Sequence, residues 1–193
     1  NIYYVDYKAG NDNNDGLSTT APFKHAPGDD NATSNALSTT LAAGDKVIFK
    51  GGVEYFGTIN LKWSGDSDNS RIIYNGNSAG TWGTGRAIID NRNSEVYTVG
   101  FYAPSSVDYI TIKNFEFRDI GGYATLPAPN GCTSPVNTIK RGTGISIFRG
   151  GSYINIKDSY FHEIGEWHNQ DPFTFDTVAR SGTGISLQDV DHV

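Results

Sequence analysis

Residues 110–121 read Ile-Thr-Ile-Lys-Asn-Phe-Glu-Phe-Arg-Asp-Ile-Gly, and residues 154–165 repeat the pattern as Ile-Asn-Ile-Lys-Asp-Ser-Tyr-Phe-His-Glu-Ile-Gly. The Ile, Ile, Lys, Phe, Ile and Gly residues recur in register. A second run, Gly-Thr-Gly-Ile-Ser, occurs at 142–146 and again at 182–186. Such self-similarity predicts a stacked architecture, in which each unit buries its apolar face only against its neighbours.

The spacing of apolar residues within the repeat predicts strands rather than helices. Ile110, Ile112, Phe115 and Phe117 lie mostly two positions apart, which is the period of a strand with one buried face. Gly, Asn, Asp and Ser separate the apolar runs and favour tight turns. We therefore expect an all-β solenoid of short strands stacked in parallel, with Lys113 and Lys157 above one another.

Composition limits the class of protein. The 193 residues are enough for one domain with a core, and the net charge of −6 argues against nucleic acid or an anionic membrane as partner. Only 19% of the residues are charged and 23 are Gly, which is typical of a turn-rich secreted protein. No apolar run is long enough to span a membrane. Cys132 is the single cysteine, so no internal disulfide forms.

The N-terminal region, residues 1–45, is expected to hold a strand and a cap, and residues 46–193 the coils. A helix is predicted over Ala32–Leu41, with Asp30 or Asn31 as its N-cap and Gly44 as its stop, and it is expected to cover the first coil. The tripeptide 31–33, Asn-Ala-Thr, has the glycosylation pattern. The polar loop 10–16 fails the calcium-loop spacing because Pro22 stands where a bidentate Glu is required, so hydrogen-bonded turns are the favoured interpretation.

The last residues, Asp191–Val193, align with Asp108–Ile110 at the opening of a strand, so we expect the sequence to stop within a coil. A solenoid that stops there exposes unpaired strand edges. We expect either a longer protein or closure by a partner, including self-association through the C-terminal coil.

The first 120 residues contain a series of short segments at residues 3–6, 10–16, 22–24, 43–52, 64–66 and 87–90. Together, these segments resemble the opening of secreted right-handed parallel β-helix proteins. This superfamily includes pectate-, alginate- and chondroitin-type polysaccharide lyases, related glycoside hydrolases and epimerases, and phage tailspike depolymerases. The resemblance implies a right-handed parallel β-helix and a polysaccharide ligand, although no stretch matches one family's catalytic motif.

Two long insertions, residues 122–141 and 166–181, follow the Ile-Gly of successive repeats and precede a Gly-Thr-Gly. Because equivalent positions of stacked coils lie about 4.8 Å apart, these insertions are expected to form one wall of a groove. A polysaccharide lyase needs a base and a cation beside the uronate carboxylate. The candidate catalytic residues are Arg180, His168, Lys140 and Arg141.

The same insertions contain candidates for binding. Trp167 and Tyr123 are natural sugar-stacking platforms, Asn130 is a polar contact, and Asp171 with Asp176 is the candidate Ca²⁺ site. A hydrolase would instead use a carboxylate pair, for which Glu166 is also available. Each residue also has a structural interpretation: salt bridges between coils, turn capping or anchoring of the loop. His162 and Glu163 recur at the positions of Arg118 and Asp119, which favours a stacked charge ladder.

The leading functional hypothesis is a secreted β-helix protein that acts on or binds an acidic polysaccharide, as a lyase or a hydrolase. The alternative is a non-catalytic extracellular module, such as an adhesin, a spike shaft or a filament subunit, that assembles through open solenoid ends.

Overall fold

The structure is a computed structural model, which describes residues 1–91, 99–126, 136–140, 142–148, 150–164 and 182–191. For 122–126 and 136–140 it describes the backbone alone. The helix is α1 (Ser34–Ser38), and the strands, in chain order, are β1 (Ile2–Val5), β2 (Lys46–Phe49), β3 (Glu54–Tyr55), β4 (Ile59–Asn60), β5 (Ile72–Asn75), β6 (Ala87–Asp90), β7 (Val99–Ala103), β8 (Ile110–Lys113), β9 (Phe115–Arg118), β10 (Gly122–Leu126), β11 (Val136–Lys140), β12 (Thr143–Ile147), β13 (Asn155–Lys157), β14 (Tyr160–Phe161) and β15 (Thr183–Leu187).

The strands form three parallel sheets that wrap around one core. The first sheet has the order β1-β2-β5-β8-β13, the second β3-β6-β9-β14 and the third β4-β7-β12-β15. From β2 onward, each coil gives one strand to each sheet in turn, and about four such coils stack on one another, with β1 added at the edge of the first sheet. The predicted all-β parallel solenoid is confirmed.

The internal repeat marks equivalent positions of successive coils. Ile112 pairs with Ile156 and Phe117 with Phe161, and Ile110 and Ile154 are both fully buried. The corners between strands also repeat, because single residues there adopt the left-handed conformation, with φ between 51° and 61°, in both copies. These corner residues are Tyr109 and Tyr153, Asn114 and Asp158, and Asp119 and Glu163.

The repeated Gly-Thr-Gly has a packing cause. Phe117 and Phe161 stack with ring centroids 4.6 Å apart and planes 3° apart. A Cβ at Gly144 would lie 2.8 Å from the Phe161 ring and 2.6 Å from the backbone oxygen of Gly184. Only a residue without a side chain fits at Gly144 beside the aromatic stack, whereas a Cβ at Gly184 would lie at an ordinary contact distance of 3.5 Å from Phe161.

The predicted helix is wrong in extent. α1 covers Ser34–Ser38, its N-cap is Thr33, and it ends at Thr39 well before Gly44. The preceding residues are held elsewhere: Asp29 forms a bridge with Ile59 of β4, which takes Asp30 and Asn31 out of helical geometry. Ala36 of α1 is fully buried in the common core, in agreement with a covering role for this segment.

The first predicted insertion is a β-hairpin in the part that the structure describes. β10 and β11 pair antiparallel between β9 and β12, outside the three parallel sheets. The second insertion, 166–181, lies outside the described residues. Within the described chain, no helix has the length and apolar character needed to cross a membrane.

Candidate functional site

The outer face of the first sheet carries two rows of side chains that run across the coils. Side chains alternate along a strand, so residues in register on neighbouring parallel strands line up. One row contains Tyr4, Ile48, Asn75, Lys113 and Lys157, and the other contains Ile2, Lys46, Ile73, Thr111 and Asn155.

A groove of about 360 Å³ lies over these rows and is closed on one side by the loop after β5. This volume is at the lower end of the range of small-molecule sites. We call it the first-sheet groove. It is lined by Tyr4, Trp82, Lys46, Lys113, Asn75 and Asn77, together with Ile2, Thr19, Ile48, Ile73, Ala79 and Thr81.

The loop that carries Trp82 is held by hydrogen bonds that its backbone makes with the Asn77 side chain and with Gly51. The buried Asn77 accepts a hydrogen bond from the Trp82 amide at 3.2 Å and donates one to the Gly85 carbonyl at 3.2 Å. Gly51 donates its amide to the Trp82 carbonyl at 3.0 Å. A Cβ at Gly51 would lie 2.3 Å from the Gly85 oxygen, so a glycine is required at this contact. The groove is therefore formed before any ligand arrives.

The Trp82 indole has two side-chain neighbours. The Tyr4 ring meets it edge to face, with ring centroids 5.4 Å apart and planes at 87°. The Lys50 ammonium lies over the indole, 5.8 Å from its centroid, and bonds the Asp6 carboxylate at 2.7 Å. Two half-buried aromatic rings thus stand at the groove, with the polar amides of Asn75 and Asn77 beside them.

Cations dominate the electrostatics of this face. Lys46 and Lys113 line the groove, and neither has a carboxylate partner in the part of the chain that the structure describes. Lys157 stands in register beside Lys113, as the repeat predicts. Like charges directly opposite on neighbouring strands are destabilising. The three lysines give this face a local positive charge in a protein whose net charge is −6.

The outer face of the second sheet has the opposite character. Arg118 bonds Glu54 at 2.5 Å, Asp90 at 3.2 Å and Glu116 at 3.3 Å. Burial alone would lower the pKa of the Arg118 guanidinium. The hydrogen bond to Asp90 and the surrounding carboxylates outweigh that effect and raise the pKa above its usual value. The cluster is an internally paired network.

Arg118 and His162, which the repeat predicts to form a charge ladder, both bond Glu116. The His162 amide donates to the Phe117 carbonyl, and its ring bonds Glu116 at 3.2 Å and Glu163 at 3.0 Å. These contacts tie the fourth coil to the third through side chains that repeat in the sequence.

The polar N-terminal loop consists of hydrogen-bonded turns. Asp12 accepts hydrogen bonds from the amides of Lys24, His25 and Thr33 and bonds the His25 ring at 2.7 Å. Burial raises the pKa of the Asp12 carboxyl. The hydrogen bonds and charge of His25 have a larger, opposite effect, so the pKa of Asp12 is lowered overall. Among the described residues, no three His, Cys, Asp or Glu side chains are placed to hold a metal ion.

Asp29 is a second buried carboxyl near this loop. Its Oδ1 accepts one hydrogen bond, at 2.8 Å, from the Asn31 amide. Burial raises the pKa of Asp29 to about 7, against the opposing effects of that hydrogen bond and of His25. Asp29 is therefore a group whose charge changes near neutral pH.

Most of the predicted site residues lie outside the described part of the chain. These are Arg180, His168, Arg141, Trp167, Asn130, Asp171 and Asp176. Tyr123 and Lys140 lie at the base of the β10–β11 hairpin, where Tyr123 pairs with Ile139 and Lys140 with Gly122. The calcium and catalytic assignments accordingly stay predictions.

The first-sheet groove was not predicted from the sequence. One signal was available: Trp82 stands in a Gly-rich run, residues 80–85, where a large aromatic residue has no strand to support it. The alternation of Lys46 and Ile48 also indicates an outward-facing row.

Comparisons with known proteins support the fold. No family model matches the chain, and no curated protein matches it. Two crystal structures of the GH136 lacto-N-biosidase from Eubacterium ramulus match at 16% identity. The selenomethionine derivative gives a TM-score of 0.55 over 86% of this chain, and the native protein 0.54 over 98%. The chain covers 29% and 30% of those two structures, so it corresponds to less than a third of their length.

Proposed function

We propose that this chain belongs to a secreted carbohydrate-active β-solenoid and that its first-sheet groove binds an acidic polysaccharide. The observation that carries the proposal is that one groove contains Trp82, Tyr4 and two lysines that have no carboxylate partner among the described residues. Aromatic rings offer sugars a flat apolar platform, whereas ammonium groups attract uronate or sulfate groups. The solenoid fold shared with a lacto-N-biosidase is consistent with a carbohydrate ligand.

The groove has a binding role in this proposal. Its described lining contains no Asp, Glu or His, the side chains that supply general acids and bases in hydrolases. We therefore place any catalytic step at the long insertions, where His168, Arg180, Lys140 and Arg141 are candidates. Cleavage by a lyase or a hydrolase then takes place on a chain that the groove holds.

The direct test measures binding to polygalacturonate, alginate and chondroitin sulfate, with a neutral galactan for comparison. We expect Trp82→Ala to weaken binding of the acidic polymers about tenfold, since losing an aromatic platform costs about 1.4 kcal/mol. The matched control is Tyr160→Ala, because Tyr160 is an exposed aromatic residue, 56% accessible, on the outer face of the second sheet.

Two results would overturn the proposal. One is that no polysaccharide in the panel binds; the other is that Tyr160→Ala weakens binding as much as Trp82→Ala does. Product absorbance near the unsaturated uronate band then distinguishes a lyase from a hydrolase, which releases reducing ends instead. Binding without either product indicates the non-catalytic alternative.

A further inference from the structure

The Trp82 indole is supported from outside the groove by a side chain that does not line it. Lys50 follows β2 and donates its amide to the Val5 carbonyl, which continues the ladder between β1 and β2 by one residue. Its ammonium lies 5.8 Å from the indole centroid, but neither Lys50 nor Asp6 is among the described residues that line the groove.

Asp6 fixes the position of the Lys50 ammonium. Its side chain is only 3% exposed and bonds the Lys50 ammonium at 2.7 Å through Oδ2. The other oxygen, Oδ1, accepts hydrogen bonds from the amides of Lys8 at 3.0 Å and Ala9 at 3.2 Å. The carboxylate therefore cannot rotate away from Lys50 without losing these hydrogen bonds. A flexible lysine side chain is thereby restricted to one geometry.

The stem of Lys50 also contacts the loop that carries Trp82. A Cβ at Gly83 would lie 3.0 Å from Cγ of Lys50 and 2.3 Å from the Gly51 carbonyl oxygen. The hydrogen bonds from Trp82 to the Asn77 side chain and from the Gly51 amide to Trp82 fix the main chain of Trp82, but they leave its side-chain torsions free. Within the described contacts, the orientation of the indole depends on Tyr4 and Lys50.

We infer that Lys50, held by Asp6, is a positioning residue that orders the Trp82 indole for saccharide stacking without touching the saccharide. The cation–π contact opposes rotation of the indole, and a ring that is already ordered loses less entropy when a sugar stacks on it. This inference rests on the proposed function for its effect on affinity, but its effect on the indole is independent of any ligand.

The experiment uses Asp6→Asn/Lys50→Met, which removes the cation without leaving a buried carboxylate unpaired. Asn at position 6 still accepts the amides of Lys8 and Ala9, and Met keeps the length of the lysine stem. Lys50→Arg is the conservative variant that retains both the ion pair and the cation. Lys50→Gln, which can still bond Asp6 but carries no charge, is the second variant if the double variant does not fold.

Two readouts are taken on each folded variant. The first is the heteronuclear NOE of the Trp82 indole N–H in the free protein, assigned by its loss in Trp82→Phe. The second is the dissociation constant for polygalacturonate. We expect the double variant to lower the NOE and to weaken binding about fivefold, with Lys50→Arg close to wild type in both.

The inference is overturned if the indole in both the double variant and Lys50→Gln is as ordered as in wild type. It is also overturned if the NOE falls while the affinity stays unchanged. If the wild-type protein binds no polysaccharide, the proposed function fails. The NOE comparison in the free protein then still decides whether Lys50 orders the indole.

Discussion

The outer faces of the first and second sheets are built on the same coils but differ in whether their charged side chains are paired. On the second sheet, Arg118 bonds three carboxylates, one of which, Asp90, has a side chain that is only 1% exposed. On the first sheet, Lys46 and Lys113 have no carboxylate partner in the described part of the chain and stand beside half-buried aromatic rings. Stacking alone therefore does not determine what a face does.

The difference identifies which face is available for a ligand. A charge that is already paired contributes to holding the coils together, and disrupting it costs folding energy. A charge left unpaired at a preformed groove contributes little to stability and keeps its full attraction for an external anion. The comparison also extends to two single buried groups, the carboxyl of Asp29 and the hydroxyl of Tyr74.

The largest effect is expected at Asp29, the buried carboxyl near the N-terminal loop. Its pKa in the folded state, about 7, lies above the ordinary value of 3.8, so the protonated form stabilises the fold at low pH. That contribution is lost as pH rises toward and through 7. We predict that the free energy of unfolding falls by about 3 kcal/mol between pH 5 and pH 8 on this account.

Urea unfolding at both pH values measures this effect, and Asp29→Asn should remove most of the difference because it cannot ionise. The variant should also be the more stable protein at pH 8. A pH dependence that persists unchanged in Asp29→Asn would assign the effect to another group.

The second effect is at Arg118. Replacing it by Met deprives Glu54, Glu116 and the buried Asp90 of their common cation, and we predict a loss of about 3 kcal/mol in the free energy of unfolding. Lys113→Met on the first sheet is the matched control and should change stability by less than about 0.5 kcal/mol. Equal losses in the two variants, measured by urea unfolding, would erase the distinction between the faces.

The third effect concerns binding. Lys46→Met/Lys113→Met should weaken binding of polygalacturonate about tenfold at low salt and make the remaining affinity less dependent on salt, with stability unchanged. Lys62→Met, at an exposed lysine just beyond β4, is the control for net charge. If Lys62→Met weakens binding equally in titration calorimetry, the attraction is a property of overall charge and not of the groove.

The smallest effect is expected at Tyr74. Its hydroxyl is fully buried and has no hydrogen-bond partner among the described atoms, and burial raises its pKa above the usual value. Removing an unsatisfied hydroxyl is close to neutral, so Tyr74→Phe should leave stability unchanged or raise it by up to about 1 kcal/mol. A clear loss in thermal unfolding would show that the hydroxyl is satisfied, for example by an internal water.

The fold was predictable because the repeated residues occupy equivalent positions in successive coils. Ile110 and Ile154 fall in equivalent buried positions, and the recurring glycine of Gly-Thr-Gly marks the close contact of Gly144 with the aromatic stack. The extent of α1 was not predictable, since Asp29 forms a bridge with β4, which is distant in sequence. Capping rules consider neighbours along the chain and do not detect such a contact.

The groove was harder to predict than the fold because it depends on register between coils of unequal length. Lys46 and Lys113 reach the same groove only through the pairings of β2 with β5 and of β5 with β8. Reactive residues are most frequent in the two long insertions, and the sequence therefore predicts a site that contains His168 and Arg180. Trp82, one aromatic residue in a glycine-rich loop, carries a weaker signal.

The most direct test of the account is an NMR titration of the protein with an acidic hexasaccharide of galacturonate. We predict that the largest chemical-shift changes map to the Trp82 indole and to backbone amides around Tyr4, Lys46 and Lys113, with little change around Arg118. Changes centred on the second sheet, or an absence of change at Trp82 while the sugar binds, would contradict the assignment of the first-sheet groove.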